Sequence, residues 1–325
     1  MRSLRPALVL ALLCGWIVPL YGEPLPDTRP LTTEGDLAAQ MVSGIDKYLM
    51  RELAASVAKR KAYWKPDYSS PEAYSKSVEP NRQHLRHILG VVDKRLPVTE
   101  LEYVATTTAP ALVAEGDGYT VQAVRWPVLE GVDAEGLLLQ PKGKPVACVV
   151  AIPDADWTPE MLVGLAPGVP KESQFARHLA EHGCQVLVPT LINRRDTLSG
   201  NPALGRMTNQ PQREFIYRQA YEMGRHVIGY EVQKVLAAVD GFCKDKDHPP
   251  VGVYGYGEGG MLALYSGALD PRIRLTVVSG YFGPREGVWQ EPIYRNVFGL
   301  LREFGDAELA DLIAPRALWV EAGHG

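Results

Sequence analysis

Near the N-terminus of the chain, apolar residues recur at four-residue intervals, starting with Leu37, Met41 and Ile45. This spacing keeps the apolar side chains on one side of a helix, so it predicts a long amphipathic helix from Asp36 onward. From about residue 101 the period shortens to two, which is the period of a β-strand. The pattern therefore predicts a helical segment followed by a domain that contains a sheet.

A second helix is predicted to begin after Ser70, whose hydroxyl suits the N-cap position, and to continue to Lys94. The two predicted helices form an N-terminal helical extension, residues 36–100. His84 and His87 stand three residues apart on one face of the second helix and could share a metal ion. With no third ligand in sight, a solvated helix face is the simpler interpretation of the pair.

Strand-like and helical stretches alternate through the rest of the chain. Alternation between apolar and polar residues predicts two half-buried strands, at residues 119–126 and 134–140. Continuous apolar runs predict buried strands at residues 145–153, 184–189 and 273–279, and two further strands are predicted at residues 251–254 and 317–321. Helices are predicted between them, at residues 173–182 and, as one long helix, 215–242. This order is typical of an α/β fold with a mainly parallel sheet and helices on both faces.

The rest of the chain is organised around the sequence GYGEGG, which joins the strand at residues 251–254 directly to a helix. Two chemistries use a strand, a tight glycine turn and a helix in this order. Gly255, Gly257 and Gly260 match the dinucleotide fingerprint G-x-G-x-x-G. The same turn also has the form of a nucleophile elbow, G-x-S-x-G, with Gly257 standing where the serine of a hydrolase would be.

The context of the turn favours the elbow. A dinucleotide fingerprint belongs on the first strand of its domain, and an acidic residue should close the second strand. Here at least four strand-like runs precede Gly255, and the next strand ends at Ser279 without a carboxylate. Binding of a dinucleotide through Gly255, Gly257 and Gly260 stays the less favoured alternative.

Three stretches resemble bacterial acetyl-xylan-esterase-like and dienelactone-hydrolase-like proteins of the α/β-hydrolase superfamily. They are GRHVIGYEVQKVLAAVD before the elbow, LDPRI after its helix, and DLIAPRAL before the last predicted strand. The resemblance covers the chain from about residue 119 to its end. It implies an α/β-hydrolase fold, and hydrolysis of a carboxylic ester, for example acetyl-xylan or another carbohydrate ester, by a serine, a histidine and a carboxylate.

The chain departs from that family in two places. Gly257 has no side chain with which to attack an ester, and the chain ends before the strand and histidine that would complete the site. We therefore expect a hydrolase domain at residues 101–325 that is truncated after the penultimate core strand. Three functions stay open: an ester hydrolase, a non-catalytic protein that binds a ligand or partner, and a hydrolase that uses the carboxylate of Glu258.

The resemblance also assigns an oxyanion site. The loop after the first buried strand, with Asp154, Ala155 and Trp157, takes the place of the oxyanion loop, and the backbone N–H of Glu258 is the second donor. The Glu258 side chain has a simpler interpretation than a catalytic carboxylate. Because the N-terminus of a helix attracts negative charge, a glutamate is favoured there for structural reasons alone.

Six further residues are predicted to contact a substrate. Arginines in the long polar loop and the helix after it suit an anionic ligand, because guanidinium groups bind carboxylates in bidentate fashion: Arg194, Arg195 and Arg213. Residues at the end of the strand after the elbow, and in the segment that follows, would face the pocket: Ser279, Tyr281 and Trp289. For each group, ordinary structural pairing or solvation is the competing interpretation.

The first residues of the chain predict export. Arg2 and Arg5 precede a short apolar stretch, and this order is typical of a secretory signal peptide, residues 1–22. A proline-rich linker, residues 23–35, follows. The mature protein is expected to be periplasmic or extracellular in a bacterial cell, and free of the membrane after signal cleavage.

Composition narrows the function further. Of the 325 residues, 22% are charged and 46% are hydrophobic, and the net charge of −4 gives no reason to expect nucleic acid as a partner. The four cysteines include no CxxC pair, so neither zinc nor a disulfide framework is predicted. We expect no metal and no cofactor, and a small-molecule or carbohydrate ester as the ligand; the sequence leaves the oligomeric state open.

Overall fold

The computed structural model describes residues 25–29, 32–201, 206–207 and 210–322. The predicted signal peptide lies outside the described residues. The chain divides into two compact units, residues 1–49 and residues 50–325. In the first unit, the described part consists mainly of the first half of helix α1. The second unit holds every other helix and strand of the described chain.

The central sheet of the second unit contains nine strands within the described chain, in the order β1-β3-β4-β6-β5-β9-β10-β11, with β2 paired to β3. Strands β1 to β4 are antiparallel to their neighbours, whereas β6, β5, β9, β10 and β11 run parallel. The strands of this sheet are β1 (Glu102–Tyr103), β2 (Leu112–Gly116), β3 (Tyr119–Leu129), β4 (Val132–Pro141), β5 (Cys148–Ile152), β6 (Gln185–Pro189), β9 (Val251–Tyr256), β10 (Ile273–Ser279) and β11 (Ala317–Glu321). A separate two-stranded ribbon joins β7 (Gly200–Asn201) to β8 (Arg206–Met207). The mainly parallel α/β sheet is as predicted.

The described part of the chain contains nine α-helices. They are α1 (Leu37–Lys59), α2 (Pro71–Ser77), α3 (Glu79–Ile88), α4 (Pro159–Leu162), α5 (Phe175–Glu181), α6 (Gln212–Glu222), α7 (Val227–Phe242), α8 (Glu258–Leu269) and α9 (Asp306–Ile313). One hydrophobic cluster packs α3, α7, α8 and α9 against the sheet, and a second packs α4 and α5 against it. Strands β5, β6 and β9 are therefore buried on both sides, which explains their continuous apolar runs, whereas β11 at the edge of the sheet is largely exposed.

Two predicted helices are each interrupted. The expected helix at 215–242 is two helices, because Gly224 adopts a φ of +64° between α6 and α7. The helix expected from Ser70 to Lys94 divides at Val78 into α2 and α3 and ends at Leu89. The predicted N-cap is confirmed, since the Ser70 hydroxyl accepts a hydrogen bond of 3.0 Å from the Ala73 N–H.

Helix α3 packs against the sheet domain through a buried arginine. Arg82 is 2% exposed and donates to two main-chain carbonyls, Ala268 O at the end of α8 and Leu312 O in α9. Leu85 and Leu89 enter the main hydrophobic cluster beside it. The polar contacts fix α3 in register on the two helices, because each unmet buried carbonyl would cost about 1–3 kcal/mol. The predicted domain boundary at residue 100 stays a prediction.

Three cysteines in the described chain are free thiols, Cys148, Cys184 and Cys243. Cys148 and Cys184 are buried, as the apolar runs around them predicted. None of the described helices is both long enough and apolar enough to span a bilayer.

Candidate functional site

The candidate site lies where the strand order reverses. Strand β5 has β6, which follows it in sequence, on one side and the later strand β9 on the other. In open parallel sheets, the crevice at the carboxyl ends of two such strands is the usual place for a ligand. Here that crevice receives the loop after β5, which begins at Pro153, and the turn after β9, which contains Gly257.

The turn after β9 has the backbone of a nucleophile elbow. Gly257 adopts φ +58° and ψ −118°, a backbone conformation that residues other than glycine rarely adopt. Its N–H donates to Ser279 O at the end of β10, over 3.0 Å, and its carbonyl accepts the first hydrogen bond of α8, from Met261. The sharp strand-to-helix turn is therefore kept although the serine is absent.

The carboxylate of Asp154 fills the space that a serine would need. A Cβ built on Gly257 would lie 2.6 Å from Asp154 Oδ1. The same oxygen accepts a 2.9 Å hydrogen bond from the Glu258 N–H, which is the donor predicted for the oxyanion site. Asp154 thus crowds the space beside position 257 and also takes up the Glu258 N–H, the donor that the sequence analysis assigned to an oxyanion.

Arg194 holds this carboxylate in place. Its Nη1 and Nη2 donate to Asp154 Oδ2 and Oδ1 over 2.6 and 3.1 Å, and Nη1 also reaches Asp156 Oδ2 at 2.9 Å. Burial disfavours the charge of Asp154, but the hydrogen bonds from Arg194 and the Glu258 N–H outweigh it and lower the pKa of Asp154 to about 2. The same bond raises the pKa of Arg194. The pair is therefore charged throughout the physiological pH range.

The Glu258 side chain is fully buried beneath Asp154. Its Oε1 accepts from Arg213 Nη2 over 3.1 Å. Its Oε2 accepts from Arg194 Nη2 at 3.2 Å and from Nε and Nη2 of Arg295 at 3.0 and 2.8 Å. A carboxylate surrounded by three arginines and closed off from solvent cannot reach a substrate. It serves as the centre of an ion-pair network, which agrees with the structural interpretation of this residue.

Arg213 lies deeper still, with no exposed surface. It donates to Ile192 O over 2.8 Å, and its Nη1 lies 3.4 Å from Oε1 of Glu231, which is also fully buried. The expectation that Arg213 contacts a substrate is therefore corrected. The reason is topological, since α6 directs this side chain under the polar loop rather than into the cleft.

Sequence reasoning missed three members of the network: Glu231 in α7, and Tyr294 and Arg295 in the segment after β10. The Tyr294 hydroxyl accepts from Arg194 Nε over 3.0 Å, and the Arg213 guanidinium lies 5.1 Å from the centre of the Tyr294 ring. For Glu231, the available signal was a charged residue within a mostly apolar helix. For Arg295, nothing in the local sequence indicated burial.

Above the network there is an open cleft of about 320 Å³ at the ends of β5 and β6, lined by Ala155, Asp156, Trp157, Thr158, Thr190, Leu191, Asn193, Arg194 and Arg195. Trp157 stacks on Tyr256, with ring centres 4.7 Å apart and planes 8° apart. Arg195 is exposed, and its guanidinium makes no ion pair with any described residue. The structure thus brings together the predicted loop residues and two of the three predicted arginines.

The other predicted contacts lie apart from this cleft. Ser279 contributes its carbonyl to the elbow, as described above. Tyr281 and Trp289 line a different and smaller cavity of about 250 Å³, which also includes Arg295. The Tyr281 ring packs under the Arg285 guanidinium, 3.7 Å from its carbon, and burial raises the pKa of Tyr281 well above its ordinary value.

This arrangement has clear chemical consequences. A carboxylate already occupies the N-terminus of α8, so a pyrophosphate there would meet like charge, and the dinucleotide alternative has no support from the geometry. The described side chains also contain no cluster of three histidine, cysteine or acidic residues that is arranged for a metal ion. His84 and His87 are both exposed, and His84 pairs with Glu303 instead.

Comparisons with known proteins agree with this architecture. No family model matches the chain, and no curated protein matches it by sequence. Among solved structures, the chain is similar to a candidate acetyl xylan esterase from Bacteroides fragilis, with a TM-score of 0.57 and 16% identity, over 82% of this chain and 73% of that one. It is also similar to a glucuronoyl esterase from Solibacter usitatus, with a TM-score of 0.51 and 17% identity, over 79% and 76% of the two chains. With its sheet order, its elbow and these neighbours, the chain has the α/β-hydrolase fold of those esterases.

Proposed function

We propose that this protein is a non-catalytic member of the α/β-hydrolase fold that binds a carbohydrate ligand in the cleft above β5 and β6. One observation carries the proposal: Asp154 Oδ1 stands where a serine would be and accepts from the Glu258 N–H. Serine-based ester hydrolysis needs both of these places, one for the nucleophile and one for the oxyanion. In this chain the same carboxylate fills them.

The cleft itself supports binding. Its volume of about 320 Å³ suits a small ligand, and the stacked pair of Trp157 and Tyr256 offers a flat aromatic surface of the kind on which a sugar ring can lie. Arg195 and Asn193 add polar groups at the rim. The names of the structural neighbours, acetyl xylan esterase and glucuronoyl esterase, suggest an acidic xylo-oligosaccharide as the ligand. Export through residues 1–22 is part of this proposal and rests on their sequence pattern.

The first test is turnover. We expect the natural chain, a Gly257→Ser variant and a surface control, Ser69→Ala, all to hydrolyse p-nitrophenyl acetate no faster than buffer alone, because Asp154 lies against the elbow position in each. Saturable hydrolysis by the natural chain that disappears in a folded Glu258→Gln variant would contradict the proposal. It would favour the carboxylate mechanism instead.

The second test is binding, measured by calorimetry with a xylotriose that carries one glucuronic acid. We expect one site, and at least a tenfold loss of affinity in Trp157→Ala, which corresponds to about 1.4 kcal/mol. Trp319→Ala is the matched control, because Trp319 is 63% exposed on β11 and lies outside the cleft. Equal affinities in the two variants, or no binding by the natural chain, would reject this ligand.

A further inference from the structure

A second cavity lies away from the elbow, and neither the fold nor the ion-pair network accounts for it. Its volume is about 480 Å³, which lies in the range of small-molecule sites. Four separate stretches of the chain form its walls. They are Tyr63, helix α3, the junction between α6 and α7, and residues 298–303. It is larger than the cleft above β5 and β6.

Aromatic side chains dominate the accessible surface of this cavity. Tyr63, Tyr221 and Phe298 line it, and their exposed fractions are 43%, 47% and 79%. Tyr221 and Phe298 meet edge to face, with ring centres 6.5 Å apart. Three exposed rings around one cavity are costly to leave in water, and a planar ligand would bury their faces.

One cation in the cavity has no anionic partner. Among the described residues, the guanidinium of Arg302 makes a single contact, in which Nη2 lies 3.5 Å from the Tyr63 hydroxyl. The neighbouring Arg225 differs, because Asp93 holds it through two bonds of 3.1 and 2.7 Å. Arg302 is therefore the group in this cavity that is free to bind a carboxylate in bidentate fashion.

Two further polar side chains of the cavity, Glu303 and His226, carry no unpaired charge. The carboxylate of Glu303 accepts from Asn81 Nδ2 over 2.7 Å and pairs with His84, so it does not face the cavity as an unpaired negative charge. His226 is buried, and burial lowers its pKa to about 4, so it is neutral at pH 7. The cavity therefore presents one unpaired positive charge to a ligand.

The wall that carries Arg302 is held rigidly. Arg60 Nε donates to Leu301 O over 3.0 Å, and Trp64 Nε1 donates to Glu303 O over 3.1 Å. On the opposite side, His226 Nε2 donates to Asn296 O over 3.1 Å. Contacts on both sides of residues 296–303 keep the cavity open in one shape, so a ligand would not have to order it.

We propose that this cavity binds a monoanionic aromatic carboxylate, whose ring lies between the aromatic side chains and whose carboxylate is held by Arg302. The site is independent of the cleft above β5 and β6, and its ligand differs from the carbohydrate proposed there. A sugar acid fits less well, because a sugar ring needs hydrogen bonds along its edges and the polar groups of this cavity are mostly taken.

The test uses calorimetry with three probes: 2-naphthoate, which has both the ring and the charge; 2-naphthol, which has the ring alone; and D-glucuronate, which has the charge on a sugar. We expect one site for 2-naphthoate and at least tenfold weaker binding of the other two. Equal binding of 2-naphthol would show that the charge plays no part. Tighter binding of D-glucuronate would reassign the cavity to sugar acids. No binding of 2-naphthoate at about 1 mM would reject the proposal.

Two exposed positions provide variants that should fold. We expect Arg302→Gln to weaken 2-naphthoate at least tenfold and Phe298→Ala to weaken it about threefold. Arg274→Gln, an exposed arginine on β10 that does not line the cavity, should have no effect, and neither should Trp157→Ala in the cleft. An Arg302→Gln variant that binds like the natural chain would overturn the assignment. Because Trp157 and Arg302 are tested separately, the two proposals can fail independently.

Discussion

Two regions of this molecule concentrate arginine, and they use it in opposite ways. At the elbow, Arg194, Arg213 and Arg295 surround Glu258, and every one of them is bound to a carboxylate of the chain itself. At the larger cavity, Arg302 has no carboxylate partner among the described residues. In the first region, internal carboxylates already pair with the arginines, whereas Arg302 in the second region can still accept an anion from a ligand.

The most direct test of this difference between the two regions is to remove one arginine from each and compare the stabilities of the variants. We expect Arg213→Met to lower the free energy of unfolding by about 3–5 kcal/mol, because it removes a buried cationic partner from both Glu258 and Glu231 and leaves the Ile192 carbonyl without its donor. Arg302→Met should change it by less than about 0.5 kcal/mol, since the side chain is exposed. Urea denaturation of both variants measures the difference, and similar losses in the two would show that the regions are not distinct.

A serine introduced at the elbow tests whether that region is truly closed. We expect Gly257→Ser to cost about 2–4 kcal/mol, because the side chain meets Asp154 and must also accept a φ of +58°. Adding Asp154→Ala should recover part of this loss by removing the overlap. If Gly257→Ser is as stable as the natural chain in thermal denaturation, Asp154 does not block the position.

The smallest of the expected effects is a pH dependence of the free energy of unfolding, which comes from the buried histidine at the N-terminus of α7. His226 has a pKa of about 4 in the folded chain, below the usual value of 6.5, because burial disfavours its charge. The unfolded chain therefore binds more protons between these two values, and stability falls as the pH drops through that window. From pH 7 to pH 5 we expect a loss of about 2 kcal/mol from this residue alone.

A His226→Asn variant isolates this contribution. Asparagine can still cap the helix, as His226 does when its Nδ1 accepts from the Ile228 N–H over 3.0 Å, but it does not titrate. The natural chain should lose more stability than the variant between pH 7 and pH 5 in urea denaturation. Parallel losses would place the pH dependence elsewhere.

The fold was largely predictable because its signals are local. The apolar runs at β5, β6, β9 and β10, and the glycine turn at Gly257, each identify an element from neighbouring residues alone. The two interrupted helices were not predicted, because a single glycine such as Gly224 is compatible with either a continuous or a broken helix. Whether the helix continues or breaks depends on the φ and ψ angles of that glycine, and these angles are set by how the flanking helices pack.

The site was predictable only in part, for a related reason. The loop around Asp154 and the position of Gly257 follow from the order of elements. The ion pairs join residues far apart in sequence, such as Arg194 to Asp154 and Arg295 to Glu258. Whether an arginine in a polar segment is solvated, as Arg195 is, or buried, as Arg213 is, depends on that three-dimensional pairing.

Asp154 Oδ1 lies 2.6 Å from the position that a Cβ of residue 257 would take, and this closeness also constrains how the sequence can evolve. A serine that arises at position 257 while the aspartate remains meets a steric overlap, so it carries a cost without any catalytic benefit. Loss of the aspartate first removes one of the carboxylate partners of Arg194 and leaves the Glu258 amide without its acceptor. Each single step toward an active elbow is thus disfavoured until the other has occurred. We therefore expect substitutions at positions 154 and 257 to be epistatic, so that the effect of either one depends on the other.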